Sequence, residues 1–322
     1  FYQEALEIAQ DIGDRSQTSF SRSGLGNAYY NLGQYQRAIE LYQQRLITAR
    51  EIGDRASESS GLASLGFVFK NRESPEAAIA FYKQSLNTRA NIGQALEDPI
   101  ARQSYLETVS QSWRNLRQLL LEQGRNLEAQ LVAELFKAQE LSDYASDKQI
   151  TTEMPEIPLL PEENATIAAY DELLALTQQM DACEIDNCSN MNELTTLKQQ
   201  AEQNYQLTVE NLTAFIQKDG YKGHPQLRDN YFLRQAESVV DSQANSVLIY
   251  PTVLEDTLWL LWVTKNGVRS QQIQGVNQQE LTETISAFRT GLENRYSDLT
   301  ELQANANQLY NWLIAPVEEA LG

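Results

Sequence analysis

One histidine and two cysteines among 322 residues leave little material for metal or nucleophilic chemistry. A metal centre built on His224, Cys183 and Cys188 would have to be completed by carboxylates, and no metal or other cofactor is expected. A Cys–His pair needs its two side chains within hydrogen-bond reach and a stabilised thiolate. His224 stands in Tyr-Lys-Gly-His-Pro, which reads as an exposed loop, and Cys188 in the acidic segment Asp-Asn-Cys-Ser-Asn, which would raise a thiol's pKa. The expectation is two unpaired thiols, with a disulfide across a helix–helix turn as the alternative. Cations are also scarce: 25 Lys and Arg face 44 Asp and Glu, a net charge of −19. That balance is a poor match for nucleic acid or anionic lipid. No apolar run approaches a membrane span and no signal peptide opens the chain, so a cytoplasmic protein is expected. The glycines form no phosphate cradle. The adjacent acids Glu162-Glu163, Glu255-Asp256 and Glu318-Glu319 suit turns or solvated helix ends better than paired-carboxylate catalysis. Catalysis by this chain is not expected.

What the sequence does contain is a repeat. FYQEAL at 1–6 returns as LYQQRL at 41–46 and FYKQSL at 81–86, while DIGDR at 11–15, EIGDR at 51–55 and NIG at 91–93 keep step. A fixed period of this size marks stacked supersecondary units. Opening mid-unit without an initiator Met, the chain reads as an excised piece of something longer. The apolar positions step by three, four and seven, which places them on one stripe of each helix. The first complete unit carries Leu25, Gly26, Tyr29, Tyr35, Ala38, Tyr42 and Leu46; the second carries Leu65, Gly66, Phe69, Ala78, Tyr82 and Leu86. Gly26 and Gly66 let helices approach closely, and the aromatics fill the space between pairs.

These residue sizes at this period resemble the tetratricopeptide repeat, in a forty-residue variant with a lengthened second helix. The resemblance covers about residues 1–140 and predicts antiparallel helix pairs. A third unit is displaced: Leu116, Gly124 and Ala129 follow Leu25, Gly33 and Ala38 by ninety-one residues, with the extra residues near 94–106, and Arg117 stands where the glycine stood. In such stacks the first helices line a concave groove for peptides. Carried onto this chain, the groove positions are Phe20, Asn27, Tyr30 and Asn31 in unit one, Phe67, Lys70 and Asn71 in unit two, and Arg114 and Arg117 in unit three, the last with Leu120 and Leu121. The asparagines can pair with a peptide backbone, and Lys70, Arg114 and Arg117 would attract a carboxylate-bearing or acidic peptide.

Charge and proline divide the rest. Residues 1–150 hold 16 basic and 19 acidic side chains, while 151–322 hold 9 and 25, so the acidity lies in the second half. Pro155, Pro158 and Pro161 mark a semi-extended strap. The expected order is a repeat stack at 1–145, a linker at 146–163, a helical connecting region at 164–240 and an α/β segment at 241–322. The strap or the acidic half could fold back into the basic groove, an intramolecular contact that a partner would displace. In the last segment, Ser246 to Tyr250, Leu258 to Val263 and Val268 to Ile273 read as strands, with Asn266-Gly267 as a hairpin turn, and two helices follow.

Here VLIYPTVLEDTLWLLWVTKNG, with AFRTGLE and QLYNWLIAPVEEALG behind it, resembles the opening of a CHAT domain, a caspase-like cysteine peptidase relative. In that family the catalytic His and Cys lie on later strands, so no residue of this chain matches them. The fold expected is therefore mainly α: a tetratricopeptide α-solenoid, then helices, then a small incomplete caspase-like α/β segment. Three functions compete. One is a scaffold that binds a peptide or protein partner and regulates a fused peptidase domain. Another is a non-catalytic adaptor with a degenerate caspase-like half. The third is an enzyme using His224 or a thiol.

Overall fold

Each four-residue phrase Ile-Gly-Asp-Arg is a helix stop and a helix start. In the computed structural model, α1 (Tyr2–Asp11) ends at Ile12, and Gly13 takes a left-handed φ of 70°. Asp14 then accepts from the backbone N–H of Gln17 at 2.9 Å and opens α2 (Arg15–Asn31). Forty residues on, α3 (Tyr35–Ile52) ends at Gly53 with φ 71°, and Asp54 accepts from Ser57 N–H at 3.0 Å to open α4 (Arg55–Asn71). Only glycine adopts that backbone at no steric cost, and Asp satisfies an otherwise orphaned N–H. The third copy, Asn91-Ile92-Gly93, lacks the capping Asp and breaks nothing: α5 runs on through Pro75–Ala95. α6 (Pro99–Glu122) and α7 (Asn126–Tyr144) form the third pair. The structure describes residues 1–318 except 73, 96–98, 145–155, 187, 229–230, 244–245, 255–256, 266 and 295. Pro155, Glu255-Asp256, Asn266 and Glu319 thus lie outside the described residues, as does the linker before 156.

The chain divides into two compact units, one of residues 1–119 with 132–227 and one of 120–131 with 228–322. This differs from the four-part division expected from composition. α8 (Pro161–Asp186) and α9 (Met191–Gln217) belong to the unit of the repeats; after the single turn α10 (Pro225–Arg228), α11 (Tyr231–Ser242) packs with the strands. Pro161 also begins α8 rather than closing the linker. A first-turn proline sacrifices no helical hydrogen bond and presets φ.

In the first unit, Ala38, Tyr42, Leu46, Leu65, Ala78, Tyr82 and Leu86 are buried as the stripe predicts. Gly26 faces the Tyr42 ring, and Gly66 faces the Ala78 carbonyl and the Tyr82 ring. Across the second helices lies α8, touching equivalent positions of successive repeats. Glu163 meets Lys83 of α5 at 2.9 Å, and the Tyr170 hydroxyl accepts from Gln43 of α3 at 3.0 Å. Lys83 and Gln43 are the same position of the forty-residue period. Further along, Asp171 pairs with Arg50 at 2.9 Å and Gln178 donates to Glu51 at 2.7 Å. Phe69, Phe81, Tyr170 and Tyr205 form one ring cluster, with centroids 4.9 to 6.1 Å apart, that joins α4 and α5 to α8 and α9. Such ring pairs contribute about 0.5–1.5 kcal/mol each beyond area burial.

The second unit is built on an antiparallel meander, β1 (Leu248–Leu254), β2 (Thr257–Thr264) and β3 (Gly267–Ile273), in the order β1-β2-β3. Central β2 is buried on both faces, which explains its unbroken apolar run. Leu258, Leu260 and Trp262 face Val276, Leu281 and Val317, together with Leu309 and Trp312 of α13 (Leu299–Leu313). Val263 faces Ala236 and Val240 of α11. A capping box between Asn277 and Glu280 starts α12 (Gln278–Glu293). Pro251 sits in β1, which has one neighbour in the described sheet, the position where a missing N–H costs least. In the same unit Ser270 of β3 donates to Asn126 at 2.7 Å, beside the buried, doubly hydrogen-bonded Arg125–Glu128 pair.

Candidate functional site

The first helices α2 and α4 lie side by side and bring part of the expected groove together. Tyr30 of α2 meets Phe67 of α4 in a tilted ring contact with centroids 4.6 Å apart, and Tyr35 of α3 approaches Tyr30 at 5.4 Å. The Asn71 side chain lies near the Tyr30 hydroxyl. Burial, then the neighbouring Tyr35, push the Tyr30 phenol above its usual range, and Asn71 partly offsets them. The ring patch nevertheless stays open, with Phe67 40 % exposed. An exposed aromatic pair rimmed by amides is the kind of surface that anchors a partner side chain.

The amides are only partly available. Asn27 Oδ1 is taken by the Tyr42 hydroxyl at 2.6 Å, which leaves its Nδ2 to donate outward. Burial pushes the Tyr42 phenol up to about 12, so it remains a donor through the ordinary pH range. Asn71 Nδ2 donates to the Phe67 carbonyl of its own helix at 2.8 Å. Asn31 is exposed at the end of α2. Phe20 is 63 % exposed but sits at the other end of α2, roughly 15 Å from Tyr30 at the helical rise per residue.

Of the three expected cations, the structure separates one. Arg117 is half-buried, and burial pulls its guanidinium down to about 10 although Glu134 opposes the shift. It packs inward and is removed from the groove. Leu120 and Leu121 are also buried, so they line no surface. The displaced third unit explains both: a long side chain where glycine stood cannot admit a close helix and fills the space itself. Arg114 is exposed and donates to Gln111 at 3.0 Å, and Lys70 is half-buried on α4.

The described part of the proline strap, residues 156–160, does not lie on this face. Its Ile157 exchanges two hydrogen bonds with Asn87 of α5, at 2.8 and 2.9 Å, and its Pro158 carbonyl accepts from Lys83 at 3.2 Å. Lys83 and Glu163 are almost completely buried, and Glu163 also accepts from Leu160 N–H at 2.9 Å. The described part of the strap is therefore held on a second helix, which corrects the expectation that it folds into the groove. Sequence reasoning missed this latch. Its one available signal was a lysine where the preceding copy has Gln43.

The remaining chemistry-bearing residues are apart. Cys188 N–H donates to the Cys183 carbonyl at 3.0 Å, and the turn so formed brings the two Cα atoms to 5.0 Å, where the cysteines are paired in a disulfide. The expectation of two unpaired thiols is corrected. His224 follows a short 3₁₀ turn at Gly220–Gly223 and is half-buried rather than exposed. No contact joins it to either cysteine among the described residues. No cluster of three His, Cys, Asp or Glu that could hold a metal occurs among the described residues, and no helix among them is long and apolar enough to cross a membrane.

Residues 1–51, which span α1, α2 and most of α3, match the family model of the tetratricopeptide repeat. No curated protein matches the chain. The fold is mainly helical, with tetratricopeptide-like repeats and a small three-stranded sheet toward its end. Repeats of this family generally mediate protein partner binding, and the match supports a protein–protein interaction scaffold.

Proposed function

We propose that the face formed by α2 and α4 binds an extended peptide or protein segment, anchored by an apolar side chain over Tyr30 and Phe67. The observation that carries this reading is the tilted Tyr30–Phe67 ring pair, open at Phe67 and shared by two successive first helices. Asn27 Nδ2 and Asn31 then offer hydrogen bonds to the backbone of the bound segment. Lys70 and Arg114 favour an acidic or carboxylate-ended partner. Exposed ion pairs contribute only about 0–1 kcal/mol each, so that preference is modest and weakens with salt. Chain chemistry of its own is not part of the proposal: the chain binds and does not catalyse.

The test is titration of acidic and basic peptide pools against wild type, Phe67→Ala and the double variant Lys70→Ala/Arg114→Ala. Phe67→Ala should abolish most binding of both pools. The double variant should selectively lose the acidic pool at low salt. Acidic-pool binding that survives Phe67→Ala intact removes the anchor from the site, and equal affinities in the double variant remove the electrostatic part.

A second reading concerns the second unit. The succession β1, β2, β3, α12, α13 supports an opening caspase-like segment that the scaffold regulates; a non-catalytic adaptor is the alternative. Peptide hydrolysis by the natural gene product, measured with and without a groove-binding peptide, separates them. Stimulation by the peptide supports regulation, and no hydrolysis under either condition leaves the adaptor.

A further inference from the structure

The first unit holds a cleft of about 520 Å³ on the side of its second helices, away from the Tyr30–Phe67 patch. One wall is α3 with the end of α4, and the other is α8 with α9. The volume falls within the range that small ligands occupy. Its floor is apolar and aromatic. Tyr170 and Tyr205 lie 5.0 Å apart there, with Phe69 6.1 Å from Tyr205, beside Ile39 and Leu173.

Two features set this cleft apart from a packing defect. The Tyr205 hydroxyl is buried and has no hydrogen-bond partner among the described residues, whereas the neighbouring Tyr170 hydroxyl accepts from Gln43. A buried hydroxyl without a partner calls for a ligand group or a water. The rim, moreover, carries both charges on both walls: Glu40 and Arg72 on one, Asp181, Lys198 and Glu202 on the other. Neither Lys198 nor Glu202 has an ion-pair partner among the described residues. Burial raises the Asp181 carboxyl while Arg22 and Lys198 lower it, so the acid sits in a partly desolvated rim.

Mixed charge of this kind repels a polyanion as much as it attracts one, and it is too polar for a lipid chain. It complements a ligand with both signs, donors and acceptors together, and one apolar group. We propose that the cleft is a second binding site, one that takes a short zwitterionic peptide with an apolar central side chain. That side chain covers Tyr170 and Tyr205, the termini meet Lys198 or Arg72 and the opposing acids, and a backbone group pairs with the Tyr205 hydroxyl. The site is independent of the groove, because no residue is shared between them.

The test is an NMR titration of the isotope-labelled chain with free-terminal Gly-Leu-Gly, using Gly-Gly-Gly and the acetylated, amidated Leu peptide as comparisons. Gly-Leu-Gly should give saturable shifts in the amides of α8 and α9, weaker with either comparison peptide. Tyr205→Phe keeps the ring and removes the hydroxyl, and should lower affinity roughly fivefold, the worth of one hydrogen bond. Its melting curve, compared with wild type, establishes that the variant is folded. Phe67→Ala should leave the titration unchanged. The proposal is overturned by absent saturation at millimolar peptide, by equal binding in Tyr205→Phe, or by loss of the shifts in Phe67→Ala.

Discussion

Adding one methyl group at Gly26 tests the helix-pair geometry most sharply. A Cβ built there lies 2.6 Å from Tyr42 Cε1, with two further ring atoms at 3.0 and 3.1 Å. Relaxed carbon contacts need about 3.5 Å or more, so the ring must retreat by roughly 1 Å. It has little room, because Tyr42 is buried and its hydroxyl is tied to Asn27 at 2.6 Å. Overpacking costs about 1–3 kcal/mol, and a broken hydrogen bond adds about 0.5–1.5 kcal/mol. Against this, exchanging a mid-helix glycine for alanine gains about 1 kcal/mol of helix propensity. Gly26→Ala should therefore destabilise by about 1–3 kcal/mol. Two other glycines calibrate the series. At Gly66 the nearest atoms are the Ala78 carbonyl and Tyr82 ring at 3.2 Å, and at Gly61 the nearest is Leu46 Cβ at 3.5 Å. Gly66→Ala should fall near neutral and Gly61→Ala should stabilise, by up to about 1 kcal/mol. Urea unfolding of the four chains reads the order directly. A Gly26→Ala midpoint at or above wild type would refute the close approach of α2 and α3.

Two further predictions concern the latch and a cap. Lys83→Met strands Glu163 without its buried cation and should cost about 3–5 kcal/mol, while Lys83→Met/Glu163→Leu should recover most of it; a double variant no more stable than the single one in urea would show that the pair is not the latch. Asp54→Ala should cost about 1 kcal/mol at neutral pH, and burial, which would raise this carboxyl, is outweighed by its hydrogen bonds from Ser57 and Ala56, so its folded pKa lies below the ordinary value. The cap's contribution is then complete above the unfolded value of about 3.9 and is lost as pH falls through the lower folded value. Urea midpoints measured from neutral to acid pH should show the gap between wild type and Asp54→Ala closing, and a constant gap refutes the assignment.

How much of this was legible in the sequence follows from the range of the interactions involved. A helix stop and start within Ile-Gly-Asp-Arg depend on a left-handed glycine and a capping carboxylate a few residues apart, so two copies of the phrase placed two helix boundaries forty residues apart. The buried stripe was legible for the same reason, since each repeat packs chiefly against its neighbour in the chain. The strands of the second unit announced themselves through β2, whose six consecutive buried residues required cover on both faces. The Tyr30–Phe67 patch followed from the register of α2 and α4 alone.

Other outcomes depended on residues that no period connects. That α8 would lie across α5 and α3, pairing Glu163 with Lys83 and Tyr170 with Gln43, rests on contacts 80 and 127 residues apart. A lysine in place of glutamine looks like an ordinary surface exchange until a carboxylate arrives to neutralise it, and only then is its burial tolerable. Arg117 likewise occupies a groove position by counting, and turns inward because the displaced third pair has no glycine to close against. The pairing of Cys183 with Cys188 was decided by how tightly the turn after α8 closes, a matter of backbone geometry. Composition placed the acidic half, the strap and the repeats in separate regions. Tertiary structure assigned α8 and α9 to the repeats, because buried charge and aromatic area are satisfied only there.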